Sequence, residues 1–129
     1  MDKTLLIIEN DEVLSDLASF YFADQGYTVY TAFDGDEGVT LALEHKPSVI
    51  ICDVIMGKMH GFDVLQTLRA HHDVKNTIII MTSAKAYKPD IDRARELGAT
   101  DYLVKPYRTD ELMEVIERHM ASWQPQESK

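Results

Sequence analysis

The chain has 129 residues, enough for one domain and too few for two. Apolar residues at 45% with 27% charged ones suit a folded globular chain and exclude wholesale disorder. Twenty-two acidic against 13 basic residues give a net charge of −9, the wrong sign for gripping a nucleic-acid backbone unaided. The single cysteine, Cys52, rules out an internal disulfide and a multi-cysteine zinc site. No apolar run is long enough to span a bilayer, and Met1-Asp2-Lys3-Thr4 does not read as a secretory signal. The expectation is a reduced, acidic, cytoplasmic domain.

The first apolar run is Leu5–Ile8, followed by helical spacing at Leu14, Leu17, Ala18 and Tyr21. A second run, Tyr27–Thr31, precedes helical spacing at Val39, Ala42 and Leu43. The third, Ser48–Cys52, is followed by helical spacing at Leu65 and Leu68, with His71-His72 expected to close that helix. After the fourth run, Thr77–Met81, a helix is predicted from about Pro89 to Gly98. The fifth, Asp101–Val104, precedes a helix carrying Leu112, Val115, Ile116 and Met120. Gly26 and Pro47 punctuate helix-to-strand turns. Continuous rather than alternating apolar runs suit strands covered on both faces. Strict strand-helix alternation predicts an α/β fold with a parallel sheet and right-handed crossovers. The boundaries read as a domain over 1–121 and a polar tail or linker stub over 122–129.

In such a sheet, ligands gather beyond the carboxyl ends of the strands. Glu9, Asn10 and Asp11 follow the first run, and Asp53 follows the third. Thr82 and Ser83 follow the fourth, and Lys105-Pro106 the fifth. Singly, each has an ordinary explanation: a helix cap, a turn residue or a solvated lysine. Together they place acids, hydroxyls and an amine on one rim, a set suited to phosphoryl transfer. Paired acids attract a hard divalent cation such as Mg²⁺. That ion would neutralise charge as a phosphoryl group arrives on Asp53, while Lys105 and Thr82 hold its oxygens. Glu9-Asn10-Asp11 also stands where a nucleotide-binding fold would carry a glycine-rich loop, which argues against a flavodoxin-like or nucleotide-binding enzyme.

The stretches Leu5–Asp11, Val49–Met56, Gly61–Leu65, Ile80–Ala84 and Gly98–Tyr107 resemble the receiver domain of two-component response regulators, over essentially residues 3–121. The resemblance implies a flavodoxin-like five-stranded parallel sheet of order 2-1-3-4-5, with helices on both faces. It makes Asp53 the phospho-acceptor from a sensor histidine kinase or phosphotransfer protein. Glu9, Asn10, Asp53 and the Ile55 carbonyl become the Mg²⁺ ligands, and Lys105 the phosphate-pairing lysine. Thr82 and Tyr102 become the switch pair, and Lys105–Pro106 a cis peptide bond. It further implies a switch rather than a turnover enzyme. Output would pass to an effector or output domain through the face of the fourth helix, fifth strand and fifth helix, as a monomer or a weak phosphorylation-dependent homodimer.

The sequence departs from that pattern in particular places. Asn10 stands where the family usually has Asp, which lowers the expected Mg²⁺ affinity. It also keeps open a pseudo-receiver that signals by binding alone. Gly57 replaces a usual Pro, predicting a looser loop, and His60 replaces a usual acid, predicting a residue that caps or solvates the loop rather than a ligand. Ile55 and Ala84 cannot orient a hydrolytic water, so a slowly decaying phosphoryl group is expected. Glu114 replaces an arginine usual in winged-helix transcription-factor receivers. Cys52, Met56 and Met59 read as packing residues.

Overall fold

The structure is a computed structural model that describes residues 2–57 and 59–122. Strands and helices alternate: β1 (Thr4–Ile8), α1 (Glu12–Asp24), β2 (Thr28–Ala32), α2 (Gly35–His45), β3 (Val49–Asp53), α3 (Gly61–Arg69), β4 (Ile78–Ser83), α4 (Lys88–Glu96), β5 (Asp101–Val104) and α5 (Thr109–Ser122). All pairings are parallel and the strand order is β2-β1-β3-β4-β5, as expected. The tail Trp123–Lys129 lies outside the described residues, while Ser122 closes α5.

The continuous apolar runs follow from two cores, one on each side of the sheet. Leu6, Ile8, Ile50, Cys52, Ile79 and Met81 face the layer of α2, α3 and α4. Their chain neighbours Leu5, Ile7, Val49, Ile51, Ile78 and Ile80 face α1 and α5, with Phe22, Leu112 and Ile116. Because side chains alternate across a strand, a sheet covered twice needs an apolar residue at every position. Cys52 is fully buried in the first core, as its packing role requires. Met56 is buried beside it and Met59 packs against it.

Several boundaries differ from the sequence expectation. Asp53 is the last residue of β3, and Thr82 and Ser83 complete β4, because the ladder continues through the pair Asp53–Thr82. Leu17 does not belong to the buried face of α1. It is 57% exposed, and the helix turns Ser15, Ala18 and Phe22 inward instead. Val39 and Leu43 are only half-buried in α2, where Gly35, Gly38 and Ala42 make the close contact. A Cβ on Gly38 would stand 2.5 Å from Ile8 Cδ1, so glycine permits that approach. α3 ends at Arg69 with Ala70 as its cap, leaving His71 and His72 beyond the helix. The Ala70 and His71 amides close its last turn on the Gln66 and Leu68 carbonyls, while the Arg69 guanidinium ties the helix end to the carbonyls of Gly98, Lys75 and Thr77 and to Thr100 Oγ1. Gly98 turns the chain out of α4 with φ +103°.

Candidate functional site

At the carboxyl rim, β3 delivers Asp53 between β1 and β4, the strands that carry Glu9 and Thr82. Glu9 lies one residue beyond β1, its amide donating to the Ala32 carbonyl at 3.0 Å. Thr82 is the register partner of Asp53, and the Val54 amide donates to its carbonyl at 2.8 Å. Lys105 follows β5 and is tied back to β4 through its amide, which donates to the Ser83 carbonyl at 2.8 Å. The Lys105–Pro106 bond is cis.

The Lys105 ammonium joins the two acids. Nζ donates to Glu9 Oε1 at 2.6 Å and to Asp53 Oδ2 at 3.1 Å. The remaining oxygens take backbone amides: Glu9 Oε2 from Asp11 at 3.0 Å and Asp53 Oδ1 from Ile55 at 3.3 Å. Glu9, Asp53 and Thr82 are buried, at 4%, 6% and 1% exposure. Burial pushes the Glu9 carboxyl above its usual range, and Lys105 and the Asp11 amide offset this only in part. Burial works to lower Lys105, but Glu9 and Asp53 outweigh it and hold the ammonium above its usual range. Burial thus sets the direction at Glu9, and the two neighbouring carboxylates set it at Lys105.

The neighbouring residues divide by role. Asp11 caps α1, accepting the Val13 and Leu14 amides on Oδ1. Asn10 is exposed at the rim, one residue from Glu9. His60 caps α3 as expected, its Nδ1 accepting the Phe62 amide at 3.0 Å. Ile55 is half-exposed and Ala84 is exposed, both on the open side. Tyr102 is half-buried against the first core and donates its hydroxyl to the Lys85 carbonyl at 2.9 Å. Its ring therefore touches the loop that follows Thr82.

Two residues matter here that carry no role in the sequence reading. Gly61 begins α3 directly against Asp53, its amide donating to the Val54 carbonyl, and a Cβ would stand 2.2 Å from the Asp53 carbonyl. Tyr107 feels the charges of Glu9, Lys105 and Asp53, and burial pushes its phenol up. Only its position two residues beyond Lys105 could have signalled it.

Among the described residues, no three His, Cys, Asp or Glu side chains converge on a metal position. The rim nonetheless fits a hard cation of the magnesium class. Its donors are all oxygen, and its two acids exceed the single Lys105 charge by one.

The fold and this rim define a receiver. The family model for the response regulator receiver domain matches residues 5–117, and the chain belongs to that family. It is 30% identical to the chemotaxis protein CheY4 of Vibrio cholerae, over 92% of this chain and 98% of that one, with a TM-score of 0.87. A putative response regulator from Chloroflexus aurantiacus is 28% identical over 94% of this chain and 99% of that one, with a TM-score of 0.86. The probable transcriptional regulator ycf29 of Pyropia yezoensis is 32% identical over 94% of this chain. The present chain spans 54% of that relative's length. No helix among the described residues is long and apolar enough to cross a membrane.

Proposed function

We propose that this receiver domain is phosphorylated on Asp53 and acts as a cytoplasmic switch rather than a turnover enzyme. The observation that carries this is the buried Asp53 carboxylate held by Lys105 at 3.1 Å, with Thr82 in register beside it. A carboxylate oxygen of Asp53 attacks the phosphorus of a phosphohistidine on a kinase or phosphotransfer protein. The nitrogen–phosphorus bond breaks and the imidazole keeps its electron pair. Asp53 becomes an acyl phosphate, with Lys105 pairing one phosphoryl oxygen and the Thr82 hydroxyl donating to another.

Glu9, Asp53, the Asn10 amide oxygen and the Ile55 carbonyl would hold Mg²⁺. The ion would supply positive charge for the incoming phosphoryl oxygens. Asn10 contributes no charge to that set, so binding is weaker than with an acid at this position. Drawing Thr82 toward the phosphoryl group loosens the Lys85 loop that holds the Tyr102 hydroxyl, and the α4-β5-α5 face changes shape. An effector or output domain reads that face, as monomer or weak dimer.

Incubation with acetyl phosphate and Mg²⁺, followed by intact mass, is expected to show one phosphoryl adduct that Asp53→Asn abolishes. No adduct, where a control receiver is labelled, would leave a module that signals by binding alone.

A further inference from the structure

Beside Lys105 lies a cavity of about 280 Å³, lined by Leu14, Ala84, Lys105, Pro106 and Tyr107. Leu14, Ala84 and Pro106 are apolar, Tyr107 adds an aromatic ring with a phenol, and the only charge among the five is Lys105, whose ammonium touches Asp53. Two of the walls belong to packed parts of the fold. Leu14 sits in the first turn of α1, where Asp11 fixes its amide, and Tyr107 packs against the second core. Ala84 follows the last residue of β4 and presents only a methyl group. A largely apolar cavity with a few polar groups is the usual form of a small-ligand site, and this volume suits a fragment rather than a drug-sized molecule.

We infer that this cavity receives the acyl group of small acyl phosphates, so that the domain prefers donors with a ring-sized apolar acyl group over acetyl phosphate. The inference rests on the phospho-acceptor reading of Asp53. Lys105 is the hinge of the argument, because it lines the cavity while reaching Asp53. A donor can therefore offer its phosphoryl group to Asp53 with its apolar body against Leu14, Pro106 and Tyr107. In the transfer, a carboxylate oxygen of Asp53 bonds to phosphorus and the phosphorus–oxygen bond to the acyl carboxylate breaks. The acyl carboxylate leaves with the electron pair, so no proton or further reactant is needed. An acetyl methyl group fills little of the space, whereas a phenyl ring covers all the apolar walls.

The test compares initial rates of Asp53 labelling by benzoyl phosphate and acetyl phosphate, with Mg²⁺, by intact mass. The chain is expected to favour benzoyl phosphate by roughly tenfold, the order that an apolar pocket confers for added apolar bulk. Ala84→Leu fills the cavity and is expected to collapse the ratio; using a ratio controls for the donors' intrinsic reactivity. A second readout needs no phosphorylation: titration with neutral benzamide should shift the methyl resonances of Leu14 and Ala84, and acetamide should not. Labelling with the same ratio in both proteins, or no benzamide shift, overturns the inference while leaving Asp53 as acceptor. Benzamide shifts without any donor preference would assign the cavity to another apolar group and also overturn it. If neither donor labels Asp53, the acceptor reading falls, and the donor preference with it.

Discussion

Lys105 is the residue on which the rim depends. Its ammonium is mostly buried and touches Glu9 and Asp53 together, so removing it leaves two acids facing each other with little water. Lys105→Met is expected to cost about 3 kcal/mol near neutral pH, the scale for breaking a buried ion pair. The loss should shrink as pH falls from neutral toward 4.5, because a Glu9 raised above its ordinary 4.5 takes up a proton more readily in the folded state. Urea unfolding at the two pH values measures this, and an equal loss at both contradicts it. In the parent chain the sign is the same: Glu9's contribution falls as pH rises through the window above 4.5.

Asp101 works in the opposite sense. Burial pushes its carboxyl up, but His119, the Tyr102 amide and Arg118 more than reverse this and hold it below its ordinary 3.8. A lowered carboxyl stabilises the fold above the unfolded value, and that stabilisation is lost as pH falls through the folded value. Asp101→Asn is therefore expected to lower stability by about 1 kcal/mol at neutral pH. The two proteins should converge as pH drops below 3.8 in an unfolding titration.

At the scale of elements, α1 shows where apolar spacing misleads. Leu14, Leu17, Ala18 and Tyr21 form a plausible apolar face, yet Val13, Leu17 and Phe20 are 66%, 57% and 78% exposed. Small Ser15 and Ala18 face the sheet instead, beside Phe22. Which face turns inward depends on the room left by α5 and the sheet, a quantity absent from the helix's own sequence. The Ser15 hydroxyl is buried with no hydrogen-bond partner, so Ser15→Ala is expected to raise stability by about 1 kcal/mol in a thermal or urea melt. The caps were easier to anticipate. Asp11 and His60 each stand one residue before a helix and accept its first free amides, a short-range matter of side-chain reach. His71-His72 fall just past the end of α3, where the His71 amide still donates to the Leu68 carbonyl and Arg69 reaches acceptors as distant in sequence as Gly98 and Thr100.

For the whole molecule, what counts is how long a phosphoryl group on Asp53 would last and how it would be read. Ile55 and Ala84 flank the open side of the rim with side chains that cannot hold a water. Ile55→Asn should shorten the lifetime of the phosphorylated form several-fold, followed by loss of the adduct in intact mass. An unchanged lifetime would put its control elsewhere.

Sequence by itself determined the five-fold alternation, the parallel sheet and the convergence of Glu9, Asp53, Thr82 and Lys105, because strand ends in a doubly covered sheet share one rim. Only the tertiary structure decided how these groups pair. It gave one ammonium to both acids, set Gly61 against the Asp53 backbone and opened a cavity between Leu14 and Tyr107. Periodicity is a property of neighbours along the chain. Hydrogen-bond partners and empty volume arise between residues as far apart as Glu9 and Lys105, where only the packed sheet fixes the distance.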